Sequence, residues 1–190
     1  MKIGVIGAGT MGAGIAEVMS KHYDVVVRDI SEEFVEKGKN TITKSFEKSV
    51  AKERMTAEQK DEYLGRLNFT TDVNELKDCD LIIEAASENP EIKKSIFKEL
   101  CELCDEDTIL ASNTSSISIT EIAAATKRPD KVIGMHFFNP ATIMKLVEII
   151  KGITTSDETV EKVKKIAEEM GKTGVEVNEA PGFVVNRILV

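Results

Sequence analysis

Residues 2–16, KIGVIGAGTMGAGIA, leave this chain few ways to begin. A short apolar run enters directly on Gly7, Gly9 and Gly12, and Met11, Ile15, Val18 and Met19 then recur at helical spacing. Strand, glycine turn and helix follow one another without a gap. A second β-branched run, DVVVRD (24–29), closes a βαβ unit and ends on Asp29, 22 residues past the first glycine. G-x-G-x-x-G alone is a weak pattern; after a strand, opening a helix and followed by such an acid, it is a dinucleotide-binding fingerprint. Gly7 permits the tight turn, Gly9 lets a pyrophosphate approach the backbone, and Gly12 lets the helix lie close to the sheet. With Thr10 and Met11 between them, these residues offer the amides and positive dipole of a helix start to phosphate. Asp29 can accept hydrogen bonds from an adenosine ribose, which favours NAD. NADP is the lesser alternative, held open by the neighbouring Arg28.

Alternation continues along the chain. Strands are expected at 67–71, 80–86, 108–112, 131–138, 145–150 and 174–177, with helices at about 89–104, after Ser118 and at 157–170. Residues 31–66 interrupt the rhythm as two helices, the second announced by the Thr56/Gln59 capping box. The predicted fold is α/β: a Rossmann-type, doubly wound, mostly parallel sheet with a helical-hairpin insertion after the second strand. One NAD-binding domain is expected over 1–180. Pro181 opens a last helix (181–190) that reads as the start of a truncated helical C-terminal dimerisation domain, because VVNRILV ends on apolar residues with no cap. The first residues enter a strand at once, with no secretory leader and no apolar run of membrane length, so a cytoplasmic protein without membrane contact is expected. A formal net charge of −8 argues against nucleic acid, which is bound through basic surfaces.

Of the two histidines, His22 reads as a solvated turn residue. His136 ends an apolar strand in GMHFFNP, before a chain-reversing Asn139-Pro140. Glu148 lies inside KLVEII, where a carboxylate is costly unless paired. If the two strands are neighbours, Glu148 can fix the imidazole tautomer and stabilise the imidazolium, the arrangement of a general base for an alcohol proton. If they are not, Glu148 faces solvent. SNTSS (112–116) follows another buried strand, at the carboxyl edge where open α/β sheets bind ligands, and its hydroxyls and amide suit a substrate oxygen or a helix cap.

In order, IGAGTMGAGIA, SNTSS, HFFNPA, MKLVEII and PGFVVNR closely resemble the 3-hydroxyacyl-CoA dehydrogenase family, most of all its short-chain bacterial 3-hydroxybutyryl-CoA members. The resemblance spans the whole chain. It implies NAD-linked, reversible oxidation of an (S)-3-hydroxyacyl-CoA to the 3-ketoacyl-CoA, with His136 as base, Glu148 as its partner, and Ser115 and Asn186 on the substrate oxygen. It further implies Glu88, Lys93 and Asn113 in the cofactor site and Asn139 beside the substrate. It also gives the helical insertion a use in binding coenzyme A, for which Lys44, Lys48 and Lys52 could supply a phosphate-binding stripe or be merely a solvated face. Family members continue about a hundred residues beyond PGFVVNR into a helical domain and assemble as homodimers or higher homo-oligomers. Weak or absent turnover is therefore expected of this stretch alone, with cofactor binding retained. Two alternatives stand beside this reading: a cofactor-binding half-site without turnover, and a dehydrogenase of small 3-hydroxy acids.

Cys79, Cys101 and Cys104 are an odd set in a chain without a leader and read as free thiols. Cys101 and Cys104 share a helical register with Ile92, Ile96, Phe97, Leu100 and Leu103, which predicts buried thiols on a core-facing stripe. No histidine or second pair completes a metal set, so none is expected.

Overall fold

The computed structural model describes residues 1–180 and Phe183. Eight strands and six α-helices follow the expected order. They are β1 (Lys2–Ile6), α1 (Thr10–Ser20), β2 (Asp24–Arg28), α2 (Glu32–Ala51), α3 (Ala57–Gly65), β3 (Leu67–Thr70), β4 (Leu81–Glu84) and α4 (Pro90–Leu103). Then come β5 (Ile109–Ser112), α5 (Ile119–Ala124), β6 (Val132–Phe137), β7 (Leu146–Lys151), α6 (Asp157–Glu169) and β8 (Thr173–Asn178). A four-residue 3-10 turn at Val73–Leu76 is the one addition before β4, too short to carry a period in the sequence.

The strands form one sheet in the order β3-β2-β1-β4-β5-β6-β7-β8. β1 to β6 are parallel. β7 runs antiparallel to β6, and β8 is parallel to β7. Both faces are covered. Ile3, Val5, Ile133, Met135 and Val147 point to one core with Ile15 and Met19 of α1, Ile42 and Phe46 of α2, and Val163 of α6. Ile6, Ile82, Leu110 and Val132 point to the other, with Phe97 and Leu100 of α4 and Ile119 and Ile122 of α5. Burial on two faces is why the central strands are nearly continuous apolar runs. Each large side chain fully withdrawn there contributes about 1.5–3 kcal/mol by transfer from water.

The helical hairpin α2–α3 leans over the start of α1. Gly38 lies so close to Ala8 that a Cβ there would stand 2.8 Å from the Ala8 carbonyl oxygen. Lower down, Ser45 donates to the buried Glu17 carboxylate at 2.7 Å. The insertion is thus fixed to the glycine turn and to α1 as well as packed on the sheet. Among the described residues no helix is long and apolar enough to cross a membrane.

Candidate active site

The glycines are used for reasons visible in the backbone. Gly7 has φ +98°, and a Cβ on it would stand 2.6 Å from the Ala85 carbonyl oxygen. A Cβ on Gly12 would fall 1.8 Å from the Gly7 carbonyl oxygen, so α1 crosses the turn at a distance only glycine allows. At Gly9 a Cβ meets nothing within 4 Å; that side is open. α1 also differs from its five counterparts, each of which begins with a serine, threonine or asparagine that accepts a first-turn amide. α1 begins on Gly9 with no side-chain cap, leaving its first amides to an outside acceptor.

Above this turn lies a cavity of about 540 Å³. Gly7, Ala8, Gly9 and Thr10 form its floor, Arg28, Asp29, Ile30, Phe34, Lys37 and Thr41 one wall, and Ala85, Ala86, Ser87, Ile92 and Ile96 the other. Asp29 is held in place by its neighbours: Oδ2 accepts the Ala8 amide at 2.6 Å and Oδ1 the Ile30 amide at 2.7 Å. An uncapped helix start, a cradle that a Cβ would fill and a fixed carboxylate facing the apolar wall of Ala85, Ala86, Ile92 and Ile96 fit a dinucleotide. The Met11 side chain packs on the core and does not line the cavity.

Apart from Arg28 and Asp29, the wall residues were not anticipated, and three of them show why. Phe34 and Lys37 lie in the insertion, whose side chains the glycine pattern does not reach. Ile92 was expected to face the core with Cys101 and does not: it is 46% exposed on the cavity wall, and Cys101 is only half-buried. The apolar arc of α4 is wider than the arc the core covers, and its excess serves the cavity. Cys104 is buried as expected, Cys79 is buried too, and all three thiols are free.

A second group of residues gathers at the carboxyl ends of β5 and β6. His136 and Glu148 are directly opposed in the antiparallel β6–β7 pair, both buried, with His136 Nδ1 2.8 Å from Glu148 Oε2. The imidazole packs against the Phe138 ring at 4.6 Å between centroids and the Phe183 ring at 5.8 Å. The loop after β5 is tied to this strand, because Asn113 Oδ1 accepts the Phe137 amide at 2.8 Å. Glu88 collects the rest of that loop: Thr114 Oγ1 donates to it, as do the Ser115 amide at 2.9 Å and the Ser116 hydroxyl at 3.3 Å. Partial burial works against the Glu88 carboxylate, but these donors and the Lys93 ammonium outweigh it and hold its pKa below the usual range.

Lys93 is fully buried, with Nζ 2.7 Å from Glu84 Oε1 and 3.5 Å from Glu88 Oε2. Glu84 was missed in the sequence, although a carboxylate in DLIIEAA carries the same signal that singled out Glu148. Asn139 occupies an exposed position just past β6. Lys44 and Lys48 are exposed on α2, on the side that continues from Phe34, Lys37 and Thr41 at three- and four-residue steps. Lys52 is a correction: α2 ends at Ala51, so Lys52 is the residue that caps it rather than the third member of a helical stripe. Asn186 and the helix expected from Pro181 lie outside the described residues, apart from Phe183. Among the described residues no cluster of acids, histidines and cysteines could hold a metal ion.

Residues 2–180 match the family described as 3-hydroxyacyl-CoA dehydrogenase, NAD binding domain. The chain is 51% identical over its whole length to a probable 3-hydroxybutyryl-CoA dehydrogenase of Deinococcus radiodurans and to the 3-hydroxybutyryl-CoA dehydrogenase of Clostridioides difficile, covering 68% of each. The solved (S)-3-hydroxybutyryl-CoA dehydrogenase of Ralstonia eutropha superposes with a TM-score of 0.97 at 46% identity, over 99% of this chain and 67% of that one.

Proposed function

The chain belongs to the 3-hydroxyacyl-CoA dehydrogenase family of NAD-binding oxidoreductases, and from that premise we propose that it interconverts a short (S)-3-hydroxyacyl-CoA, 3-hydroxybutyryl-CoA above all, and its 3-ketoacyl-CoA. The observation that carries this reading is the buried His136–Glu148 pair, 2.8 Å apart and tied through Asn113 to the serine-rich loop beside the dinucleotide cavity. A nicotinamide cofactor held by the glycine turn and Asp29 would supply the acceptor for the C3 hydride of the alcohol, or its donor to the ketone. Everything else falls to the protein. With Nδ1 held by the Glu148 carboxylate, His136 uses Nε2 to receive the hydroxyl proton. Glu148 fixes that tautomer and balances the positive charge that develops on the ring. Ser115 donates a hydrogen bond to the C3 oxygen, and Asn186 is assigned to the same atom. Phe138 and Phe183 shield the imidazole from water. Lys44 and Lys48, with Lys52 at the helix end, offer positive charge to the phosphates of coenzyme A.

NAD is preferred to NADP because Asp29 is locked by two amides where a 2′-phosphate would have to enter. A cytoplasmic setting and a homo-oligomeric full-length form belong to the same reading. The decisive experiment is NADH consumption with acetoacetyl-CoA, run beside His136→Ala and Glu148→Gln. In a form extended by the helical domain that family members carry, the expected result is a roughly 10²–10⁴-fold loss in the histidine variant, the usual worth of a positioned proton acceptor, with NADH binding unchanged. Equal rates in His136→Ala and the parent would overturn the assignment of the base. NADH binding without turnover in any form would leave a cofactor half-site.

A further inference from the structure

Glu84 is wholly buried at the carboxyl end of β4, in register with Ile6 of β1 on one side and Ser112 of β5 on the other. It therefore stands between the strand that enters the glycine turn and the strand that enters the Ser115 loop. Its carboxylate receives donors from three directions: Lys93 Nζ at 2.7 and 2.8 Å, Ser112 Oγ at 2.7 Å and the Ala86 amide at 2.7 Å. Ala86 and its neighbours Ala85 and Ser87 form the inner wall of the dinucleotide cavity. Lys93 reaches on to Glu88, which gathers Thr114 and Ser115, and Ser112 Oγ accepts the Thr114 amide at 3.3 Å. A stable sheet does not require such a pair, since a buried ion pair can often be replaced by apolar residues without loss of stability. What the charge does supply is a fixed place for the Lys93 ammonium. Without Glu84, that ammonium has Glu88 as its remaining carboxylate and draws it away from the Ser115 loop.

We propose that Glu84 is a positioning residue of the cofactor site. It anchors the Lys93 ammonium on the sheet side and thereby sets both the inner cavity wall and the loop that carries Ser115. This rests on the reading of the cavity as a dinucleotide site. The test is NADH binding by fluorescence titration, with thermal melting in parallel, on the 190-residue chain and its Glu84→Gln, Lys93→Met and doubly substituted forms. Wild-type chain that fails to bind NADH overturns the dinucleotide reading, and this inference with it. With wild-type binding intact, Glu84→Gln is expected to weaken NADH at least tenfold. The double variant is expected to bind as Lys93→Met does, because the glutamine keeps an acceptor for the Ala86 amide and removes only the charge that acts through Lys93. Binding by Glu84→Gln within twofold of wild type, with only the melting temperature lowered, would reduce Glu84 to a structural part and overturn the proposal. Losses that multiply in the double variant would overturn it as well. Should Glu84→Gln fail to fold, Lys93→Met and the double variant carry the comparison: equal affinities uphold the proposal, and a further tenfold loss refutes it.

Discussion

Gly12→Ala and Gly9→Ala should separate two duties of the glycine turn. The methyl added at position 12 would lie 1.8 Å from the Gly7 carbonyl oxygen, whereas carbon–oxygen contacts settle at about 3.3 Å or more, a deficit of roughly 1.5 Å. Neither side can yield cheaply. The Gly7 amide is bonded to the Arg28 carbonyl at 2.9 Å, and its far face rests on Ala85. α1 is held by Ile15, Ala16 and Met19, all fully buried. Overpacking costs about 1–3 kcal/mol, and backbone on both sides puts this case at the upper end. At about 3 kcal/mol, a chain of this size should melt roughly 6–12 °C lower. The start of α1 must also shift by about an ångström. Losing one or two hydrogen bonds to a charged phosphate, worth about 1.5–3 kcal/mol each, should weaken NADH by ten- to several hundred-fold or more. Gly9→Ala is the contrast. Its Cβ meets no protein atom within 4 Å and its φ is −70°, so the melting temperature should stay within about 2 °C. NADH should still weaken, because the methyl occupies the approach of the pyrophosphate. Titration of NADH fluorescence and a thermal melt on both variants decide the matter. Gly12→Ala that melts and binds like wild type would refute the packing argument, and unchanged binding by Gly9→Ala would refute the placement of the phosphates.

Three other outcomes follow from the same coordinates. Burial raises the Glu17 pKa above its ordinary 4.5 despite the Ser45 hydrogen bond and the Lys21 charge, so its contribution to stability is full below about pH 4.5 and is lost as pH rises through the folded-state value. Glu17→Gln, which keeps the Ser45 contact, should therefore be more stable than wild type at pH 7 and lose that advantage toward pH 4, as denaturant titrations would reveal; a constant difference would contradict it. Cys101 should be the first thiol alkylated by iodoacetamide. Burial opposes its thiolate, but the Arg128 side chain and the Lys127 amide bring its pKa below normal, while burial pushes Cys79 up to about 12 and Cys104 to about 11. Peptide mapping that finds the first label on Cys79 or Cys104 would count against this. Lys172→Met should destabilise by roughly 1–3 kcal/mol in urea unfolding, because the Ala141 and Met144 carbonyls, bonded to Nζ at 2.6 and 2.7 Å, lose their donor. A variant as stable as wild type would mean that water replaces the ammonium without cost.

The parts legible in the sequence are those where chemistry demands a residue at a set spacing. Phosphate can approach only a backbone stripped of side chains, so Gly7, Gly9 and Gly12 announce themselves, and the strand that ends in Asp29 is fixed by the length of the crossover. The strands themselves followed from alternation, because buried parallel strands have no polar face to disguise them. What stayed hidden depends on pairing across the sheet. Nothing local distinguishes Glu84 in its strand from Glu148 in another; the pairing of β4 with β5 gives Glu84 its partner Ser112, and the return of α4 onto the sheet gives it Lys93. The apolar arc of α4 likewise carries no mark of where the core stops and the cavity begins, which is why helical register alone puts Ile92 on the wrong side. Lys172 reads in sequence as a charged residue beside a helix end, and its burial against the loop before β7 comes from the fold.

The antiparallel turn from β6 to β7 has a mechanical consequence. His136 and Glu148 are opposite rungs of one ladder, so a bend or tilt of that hairpin carries both groups along and leaves their separation nearly constant. The glycine cradle, by contrast, is built on β1 and α1, with two further strands between β1 and β6. A change in sheet twist therefore alters the distance between the cradle and the pair more than the distance within the pair. In the reaction proposed above, the His136–Glu148 pair would keep its geometry through such motion, and the distance from it to the glycine cradle would be the one that changes.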